Sequence, residues 1–196
     1  SYVFNENLII SLSLIKGDTA FKPPDYEFRL TPIINFNHVE VEENRVLKAD
    51  PRLGRHRSDR HISLAEAFFD YHIRNVSDRY DFDSVRIGIQ PFSSDFRGFL
   101  FQDSQLGIRF FGDRDNNIFQ YNLAWFRRLE KDTNSLLNHI ERKIRDDDIF
   151  IANLYWQDFP VLGFQSQVTG IYNRNNEAGD FFFNDNEFIE RPASFG

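Results

Sequence analysis

A chain of 196 residues with 41% hydrophobic residues can bury a core, and we expect residues 1–196 to form one domain. The net charge of −7 argues against a general nucleic-acid binder, because such a protein presents a basic surface. No apolar run reaches the roughly 18 residues of a membrane-spanning helix. The absence of methionine, including an initiator, favours a processed or partial chain.

Alternation of apolar and polar residues predicts β-strands from the start of the chain. The first strand covers about residues 7–16, where Leu and Ile recur at every second position. The second covers about residues 26–41, where Tyr, Phe, Leu and Ile alternate with Glu, Arg, Thr and Asn. Proline cannot donate to a neighbouring strand, so Pro32 predicts an edge, a bulge or a break inside the second strand.

The third strand, about residues 63–74, has a helix as its alternative, because its segment LAEAFF is rich in helix-forming residues. Alternation holds over about ten residues, whereas a helical stripe would bury Asp70. These two observations favour the strand.

Five further strands follow, and the first two of them form the centre of the pattern. An aromatic and charged connection, about residues 91–104, joins these two strands. The five strands cover about residues 84–90, 105–112, 117–129, 147–157 and 161–173.

Two stretches outside the strands carry weaker signals. Leu136, Ile140 and Ile144 have helical spacing, which predicts a short surface helix within residues 130–146. The tail from Arg174 is polar and is expected to be a long loop.

Short and long connections alternate along the chain, as they do in outer-membrane barrels with short periplasmic turns and long outer loops. A soluble sandwich has no reason to sort its loops in this way, although it is the commoner kind of all-β protein. The short connections are about residues 17–25, 75–83, 113–116 and 158–160, and the long ones are 42–62, 91–104 and 130–146.

Aromatic residues on the apolar sides of the strands tend to lie toward the strand ends, where the two interfaces of a membrane would be. Strands of about 9–13 residues also suit a tilted crossing of the hydrocarbon layer. We therefore predict an all-β fold, an antiparallel up-and-down transmembrane β-barrel, with about eight strands of a larger barrel in this chain.

A family resemblance supports this fold. The run RIGIQPFSSDFRGFLFQDSQLGIRFFG lies between LAEAFFDYHIRNVSDRYDF and NIFQYNLAWFRR. It resembles the alginate-export-type, porin-like outer-membrane barrels of Gram-negative bacteria, in which an Arg-Gly-x-Gln-like strand end leads through a loop into a Gly-x-Arg strand. The matching residues, in the middle third of the chain, are Arg86, Gly88, Gln90, Gly107 and Arg109. The resemblance implies well over eight strands, which would make this chain the N-terminal part of a larger protein.

Arginine recurs on the polar sides of five predicted strands. If the apolar sides face lipid, these guanidinium groups point into the lumen and favour anionic solutes. The alternative is a structural network in which they pair with carboxylates of the same wall. The predicted lumen-lining residues are Arg29, Arg74, Arg86, Arg109, Arg128, Glu27, Glu66 and Asp70.

The connection at 91–104 carries Asp95 and Arg97 between aromatic residues. We expect it either to fold into the lumen as a constriction loop or to form an ordinary outer loop packed on the rim.

The predicted function is an outer-membrane channel or export conduit for a polar solute, with anionic solutes and saccharides as candidates. The alternative is a soluble all-β carbohydrate-binding module. No phosphate-binding loop, dinucleotide fingerprint, nucleophile elbow or zinc-protease motif occurs, so we expect no enzyme activity, no cofactor and no metal site. The expected partners are outer-membrane lipid, lipopolysaccharide, the solute and further barrel strands or chains, with no nucleic acid.

An eight-stranded barrel has an interior only wide enough for packed side chains. So many polar groups in a narrow, dry interior would each need a partner. We therefore expect the first and last strands not to pair with each other. The apolar set expected to face away from the lumen is Phe28, Phe69, Ile87, Ile108, Tyr121 and Trp125.

Overall fold

A computed structural model describes residues 1–17, 23–42, 55–132, 135–142, 144–177, 181–184 and 187–190. In these ranges the protein is all-β, as predicted, and its strands form one large open sheet and one small hairpin. The same ranges contain no helix long and apolar enough to cross a membrane.

Nine strands build the large sheet, and two short strands near the end of the chain build the hairpin. The large sheet contains β1 (Tyr2–Ile9), β2 (Leu12–Lys16), β3 (Tyr26–Glu40), β4 (His56–Asn75), β5 (Phe82–Ser93), β6 (Gln102–Arg114), β7 (Phe119–Arg127), β8 (Asp147–Gln157) and β9 (Gln165–Asn175). The hairpin contains β10 (Phe181–Asn184) and β11 (Glu187–Glu190).

The large sheet is an antiparallel meander in which neighbours in sequence are neighbours in space. Both β1 and β2 pair with β3, and from β3 onward each strand pairs with the next one as far as β9. Among the described strands, β9 does not pair with β1 or β2, so the sheet is open. The expectation that the first and last strands stay apart is confirmed.

The two sides of the sheet differ sharply in chemistry. On one side, here called the apolar face, a register row of large side chains crosses the sheet and is largely exposed; it comprises Phe28, Phe69, Ile87, Ile108, Trp125, Phe150 and Tyr172. The other side, here called the polar face, holds buried polar side chains, including Glu27, Asn35, Asp70, Gln90, Gln105, Asn122 and Asn153.

A register shift divides the long β3–β4 pair between Thr31 and Pro32. Thr31 lies opposite Glu66 and Pro32 opposite Leu64, so Ala65 is an extra residue in β4. The carbonyl oxygen of Pro32 accepts a hydrogen bond from the N–H of Ile10, which lies between β1 and β2. The irregularity predicted at Pro32 is therefore present.

Several strand boundaries and two loop predictions differ from the sequence analysis. The predicted first strand begins earlier, at Tyr2, and is interrupted between β1 and β2. The third predicted strand is a strand, but it begins at His56 because the polar segment before residue 63 continues to pair with β3. In the tail the expected long loop contains the β10–β11 hairpin.

The predicted helix within residues 130–146 is wrong for the described part of that connection. Lys131 and Asn138 form an isolated antiparallel bridge instead, and turns follow it. Leu136, Ile140 and Ile144 are exposed, so their helical spacing reflects no packed stripe.

The buried hydrophobic cluster lies on the polar face. Connection 94–101 returns over β7 and β8, where Phe92 and Phe101 enclose the ring of Phe126. Three smaller side chains complete the cluster: Ala124, Ile149 and Ile151. Loop coverage rather than a second sheet therefore buries this part of the fold.

Candidate functional site

The candidate site is a row of charged side chains across the middle of the polar face. Main-chain register places Glu27 opposite Asp70, Asp70 opposite Arg86, and Arg86 opposite Arg109. Four neighbouring strands thus bring these four sequence-predicted residues together, because alternation puts one such residue of each strand on the same side.

Arg29 joins this row through its carboxylate partners. Its Nη2 lies 2.5 Å from Oε1 of Glu27, and its Nη1 lies 3.8 Å from Oε1 of Glu66. Glu66 also accepts a hydrogen bond from the hydroxyl of Thr31 at 3.1 Å. The two glutamates thus share one guanidinium group within the wall, as the structural-network alternative describes.

Asp70 and Arg86 form the most buried ion pair of the row. Arg86 donates from Nε and Nη2 to the same carboxylate oxygen, Oδ2, at 2.8 and 2.7 Å. The guanidinium also lies over the ring of Phe68, with 4.2 Å from its central carbon to the ring centroid. A carboxylate and an aromatic face together fix this arginine.

Arg109 differs from the other two arginines of the row. Its Nε donates to Oδ1 of Asn122 at 2.6 Å, and its guanidinium lies 4.3 Å from the ring centroid of Phe111. Among the described residues, no carboxylate lies within ion-pair distance of it. Its charge is therefore balanced only at a distance, although the row as a whole holds three carboxylates and three guanidinium groups.

The remaining two predicted arginines lie away from this row. Arg128 follows β7, and its Nη1 lies 3.2 Å from Oδ2 of Asp147. Arg74 follows a second register shift in β4, which places it opposite Asp83, and its Nε donates to Asp83 at 2.8 Å. Asp83 also contacts Arg114 and the hydroxyl of Tyr121, whose ring lies on the apolar face.

That cluster corrects the prediction for Arg74. The register shift between His72 and Arg74 turns the arginine side chain away from the polar face, so simple alternation assigns it to the wrong side. Arg29, Arg86, Arg109 and Arg128 keep the side that alternation predicts.

Connection 94–101, which carries Asp95 and Arg97, folds back across the polar face. The carbonyl oxygen of Ser94 accepts hydrogen bonds from Asn153 at 3.0 Å, from Gln167 at 2.6 Å and from Thr169 at 3.2 Å. These partners belong to β8 and β9, so the connection spans the sheet rather than standing at its end.

Asp95 holds this connection in shape. Its carboxylate accepts hydrogen bonds from the backbone N–H groups of Leu100, Phe99 and Arg97 at 2.9, 2.9 and 3.0 Å. The N–H groups of Leu100 and Phe99, followed by that of Arg97 and the hydroxyl of Ser94, lower the pKa of Asp95 to about 2. The arginine side chain itself is exposed.

A second connection, which follows β7, also crosses the polar face, over β4–β6. The N–H of Leu129 donates to the side chain of Gln105 at 2.6 Å, and Nζ of Lys131 lies 2.6 Å from Asp103. Farther along, Nδ2 of Asn138 donates to the carbonyl oxygens of Leu64 and Ser104 at 3.0 and 2.9 Å. In the described part of the chain, two connections thus fold back onto the polar face, one over β8 and β9 and one over β4 and β6.

Comparison with known proteins adds no identification. No family model matches the chain, and no curated protein or solved structure does so either.

The apolar cluster on the polar face was not predicted from the sequence. Phe126 is fully buried there, and the neighbouring Gly107 makes room for its ring, because a Cβ on Gly107 would meet that ring at 2.5 Å. Alternation along β7 places Phe126 on the same side as Asn122 and Ala124, so the sequence pattern was sufficient to predict that this ring lies on the polar face. The part of the chain that the structure describes holds no group of three or more acidic or histidine residues placed for a metal ion.

Proposed function

We propose that this chain is part of a porin-like outer-membrane β-barrel that conducts or exports a polar solute. The observation that carries the proposal is the inverted arrangement of the sheet, whose large apolar side chains are exposed while its polar ones are buried. Soluble proteins rarely expose contiguous apolar patches of more than a few hundred Å². A lipid-facing wall with a polar interior has this arrangement by necessity.

The apolar face has a height that suits a membrane. On β3 its apolar side chains run from Tyr26 to Phe36, interrupted only at the bulge. Ten steps of about 3.3 Å make about 33 Å along the strand, or about 25 Å across a bilayer at a tilt of about 40°. This equals the usual apolar band of an outer-membrane barrel.

Aromatic and charged residues border this band at both ends of β7 and β8. The rings of Phe119 and Trp156 pack at 5.2 Å at one end. At the other end Nε1 of Trp125 donates to Asp148, which also pairs with Arg127. Aromatic girdles followed by charged residues are typical of membrane interfaces, and lipid and lipopolysaccharide are accordingly the proposed outer partners.

The open sheet supports a barrel larger than this chain supplies. The free edges of β9 and of β1 and β2 carry backbone groups that a membrane would require to be paired. Additional strands, from the same protein or from another chain, would close the wall around a wet interior and leave the charged row facing solute.

The charged row favours an anionic solute over a neutral saccharide. Carboxylates of the wall already pair with Arg29 and Arg86, whereas the guanidinium of Arg109 contacts an amide and aromatic rings and, among the described residues, pairs with no carboxylate. A solute carboxylate or phosphate would complete its coordination. Connection 94–101 serves in this proposal as the constriction. The proposed role involves no reaction and no cofactor.

Membrane insertion is tested with two adjacent substitutions on the edge strand β2. Leu12 is exposed on the apolar face opposite Leu30, near the middle of the band, and Ser13 beside it lies on the polar face near Glu27. Leu12→Arg should weaken the membrane-inserted state by about 2–4 kcal/mol, while Ser13→Arg should be tolerated. The measurement is the detergent-extractable membrane fraction of each variant. Wild-type protein that is monodisperse in buffer without detergent would refute the proposal and favour the soluble carbohydrate-binding module.

Solute selectivity is tested in planar bilayers under a salt gradient. Arg109→Gln should shift the reversal potential toward cations, because it removes the guanidinium that wall carboxylates leave unpaired. The matched variant Arg29→Gln removes the same charge, but from a guanidinium that already pairs with Glu27. It should therefore lose less anion preference than Arg109→Gln. A larger loss of anion preference in Arg29→Gln than in Arg109→Gln would contradict the assignment of Arg109.

A further inference from the structure

Two histidine rings join the second covering connection to the sheet. His61 of β4 and His139 of segment 135–142 stack with ring centroids 4.8 Å apart and an angle of 6° between their planes. His61 is buried on the polar face. The stack is therefore an internal contact between a strand and a connection.

Each ring has one nitrogen that is buried without a hydrogen-bond partner. These atoms are Nε2 of His61 and Nδ1 of His139. A neutral imidazole carries one N–H, whereas a protonated one carries an N–H on both nitrogens. Protonation of either ring would therefore place a buried N–H donor where the structure offers it no acceptor, and protonation of both would set two positive charges face to face.

The surrounding charges offset this repulsion only in part. Asp132 and Glu141 of the same connection and Asp59 of β4 are the acidic groups that act on His61. Asp59 pairs with Arg57, and Asp132 accepts hydrogen bonds from the N–H and hydroxyl of Ser135.

On the sheet, β3 presents the neutral amide Asn35 directly opposite His61. On the connection, the backbone N–H of His139 donates to the carbonyl oxygen of Glu130, whose carboxylate lies 3.9 Å from Nε of Arg145.

We propose that the His61–His139 stack is a pH-sensitive latch, which holds segment 135–142 against the polar face at neutral pH and releases it below about pH 6. In the docked form, protonation meets the two costs described above, a buried N–H donor without an acceptor and repulsion between the rings, whereas a ring released into water meets neither. The docked form therefore loses stability as the pH falls into the range in which imidazoles take up protons.

Release would free the parts of β4 and β6 that the segment contacts. The side chain of Asn138 would leave the carbonyl oxygens of Leu64 and Ser104. Any effect on conduction rests on the proposed function, but the docking equilibrium does not.

The experiment measures amide hydrogen exchange of segment 135–142 between pH 7.5 and pH 5, as protection factors corrected for intrinsic exchange. In the wild-type chain, protection should fall by up to about tenfold per pH unit for each proton taken up as the pH is lowered. The double variant His61→Phe/His139→Phe keeps two stacking rings, neither of which can be protonated, so its segment should stay protected at pH 5.

A matched control uses a histidine outside the latch. His72→Gln changes a polar-face residue of β4 that bonds to Asn75, and it should keep the wild-type response. Protection that does not change with pH in the wild type, or a His61→Phe/His139→Phe variant that responds like the wild type, would overturn the proposal. Neither result bears on whether the chain enters a membrane.

Discussion

The polar face has two halves that solve the same problem by different means. In β3–β6 polar groups are buried through pairing, as in the contacts of Arg29 with Glu27 and of Arg86 with Asp70. In β7 and β8 the same face carries apolar side chains, and connection 94–101 covers them. One sheet can therefore combine an electrostatic wall with a small hydrophobic core, and each half should respond to a different kind of substitution.

The largest effect is expected in the apolar half. Phe126→Ala removes a fully buried ring that packs against Phe92 and Phe101, and it should cost about 3–5 kcal/mol of unfolding free energy. This loss of unfolding free energy is measured by urea unfolding, in the medium that keeps the chain monodisperse. Phe99→Ala in the covering connection is the matched control, because Phe99 is 91% exposed and should change stability by less than about 0.5 kcal/mol. Equal costs for the two variants would mean that the connection does not close over this cluster.

A smaller effect is expected in the charged half. Asp70→Asn leaves Arg86 without its carboxylate and opposite Arg109, which should destabilise the fold by about 2 kcal/mol. The double variant Asp70→Asn/Arg86→Gln should recover part of that loss, as the coupling energy of the double-mutant cycle will show. Additive losses in the cycle would mean that the two side chains do not act as a pair.

The smallest effect concerns the connection that covers the apolar half. Hydrogen bonds from Leu100 and Phe99 hold the pKa of Asp95 at about 2, below the ordinary value of about 3.9. The ionised carboxylate therefore stabilises the connection fully above about pH 4, and this contribution is lost as the pH falls through about 2. Amide exchange at residues 97–100 should show the loss, and Asp95→Asn should remove its pH dependence.

Asp158 supplies the control for that measurement. Its carboxylate accepts one backbone N–H, from Gly163, in a different connection. Asp158→Asn should leave the acid response at residues 97–100 unchanged. A response that disappears in Asp158→Asn but persists in Asp95→Asn would show that Asp95 does not organise the loop.

Strand order and facing could be read from the sequence because both depend on local patterns. Alternation at Glu27, Asp70 and Arg86 is enough to place these residues on one side, and consecutive strands of a meander pair with each other. Arg74 shows the limit, because a register shift reverses the facing of every residue beyond it and leaves no mark in composition.

The contacts of the connections could not be read in the same way. Ser94 meets Asn153 and Thr169 across 59 and 75 positions of sequence, and no periodicity encodes such a distance. The early start of β4 has a similar cause. Its first residues are polar, and they belong to the strand because they pair with β3.

The meander has a consequence for how the wall can be assembled. Since every pairing from β3 to β9 joins neighbours in sequence, the sheet can grow by one hairpin at a time without threading the chain through itself. Each added strand covers one edge and offers another, so a growing sheet exposes only two edges at any stage. Pairing between sequence neighbours keeps partner strands closer in the chain than a crossover topology would, which favours stepwise formation. The order of the strands in the polypeptide would then also be the order in which they join the wall.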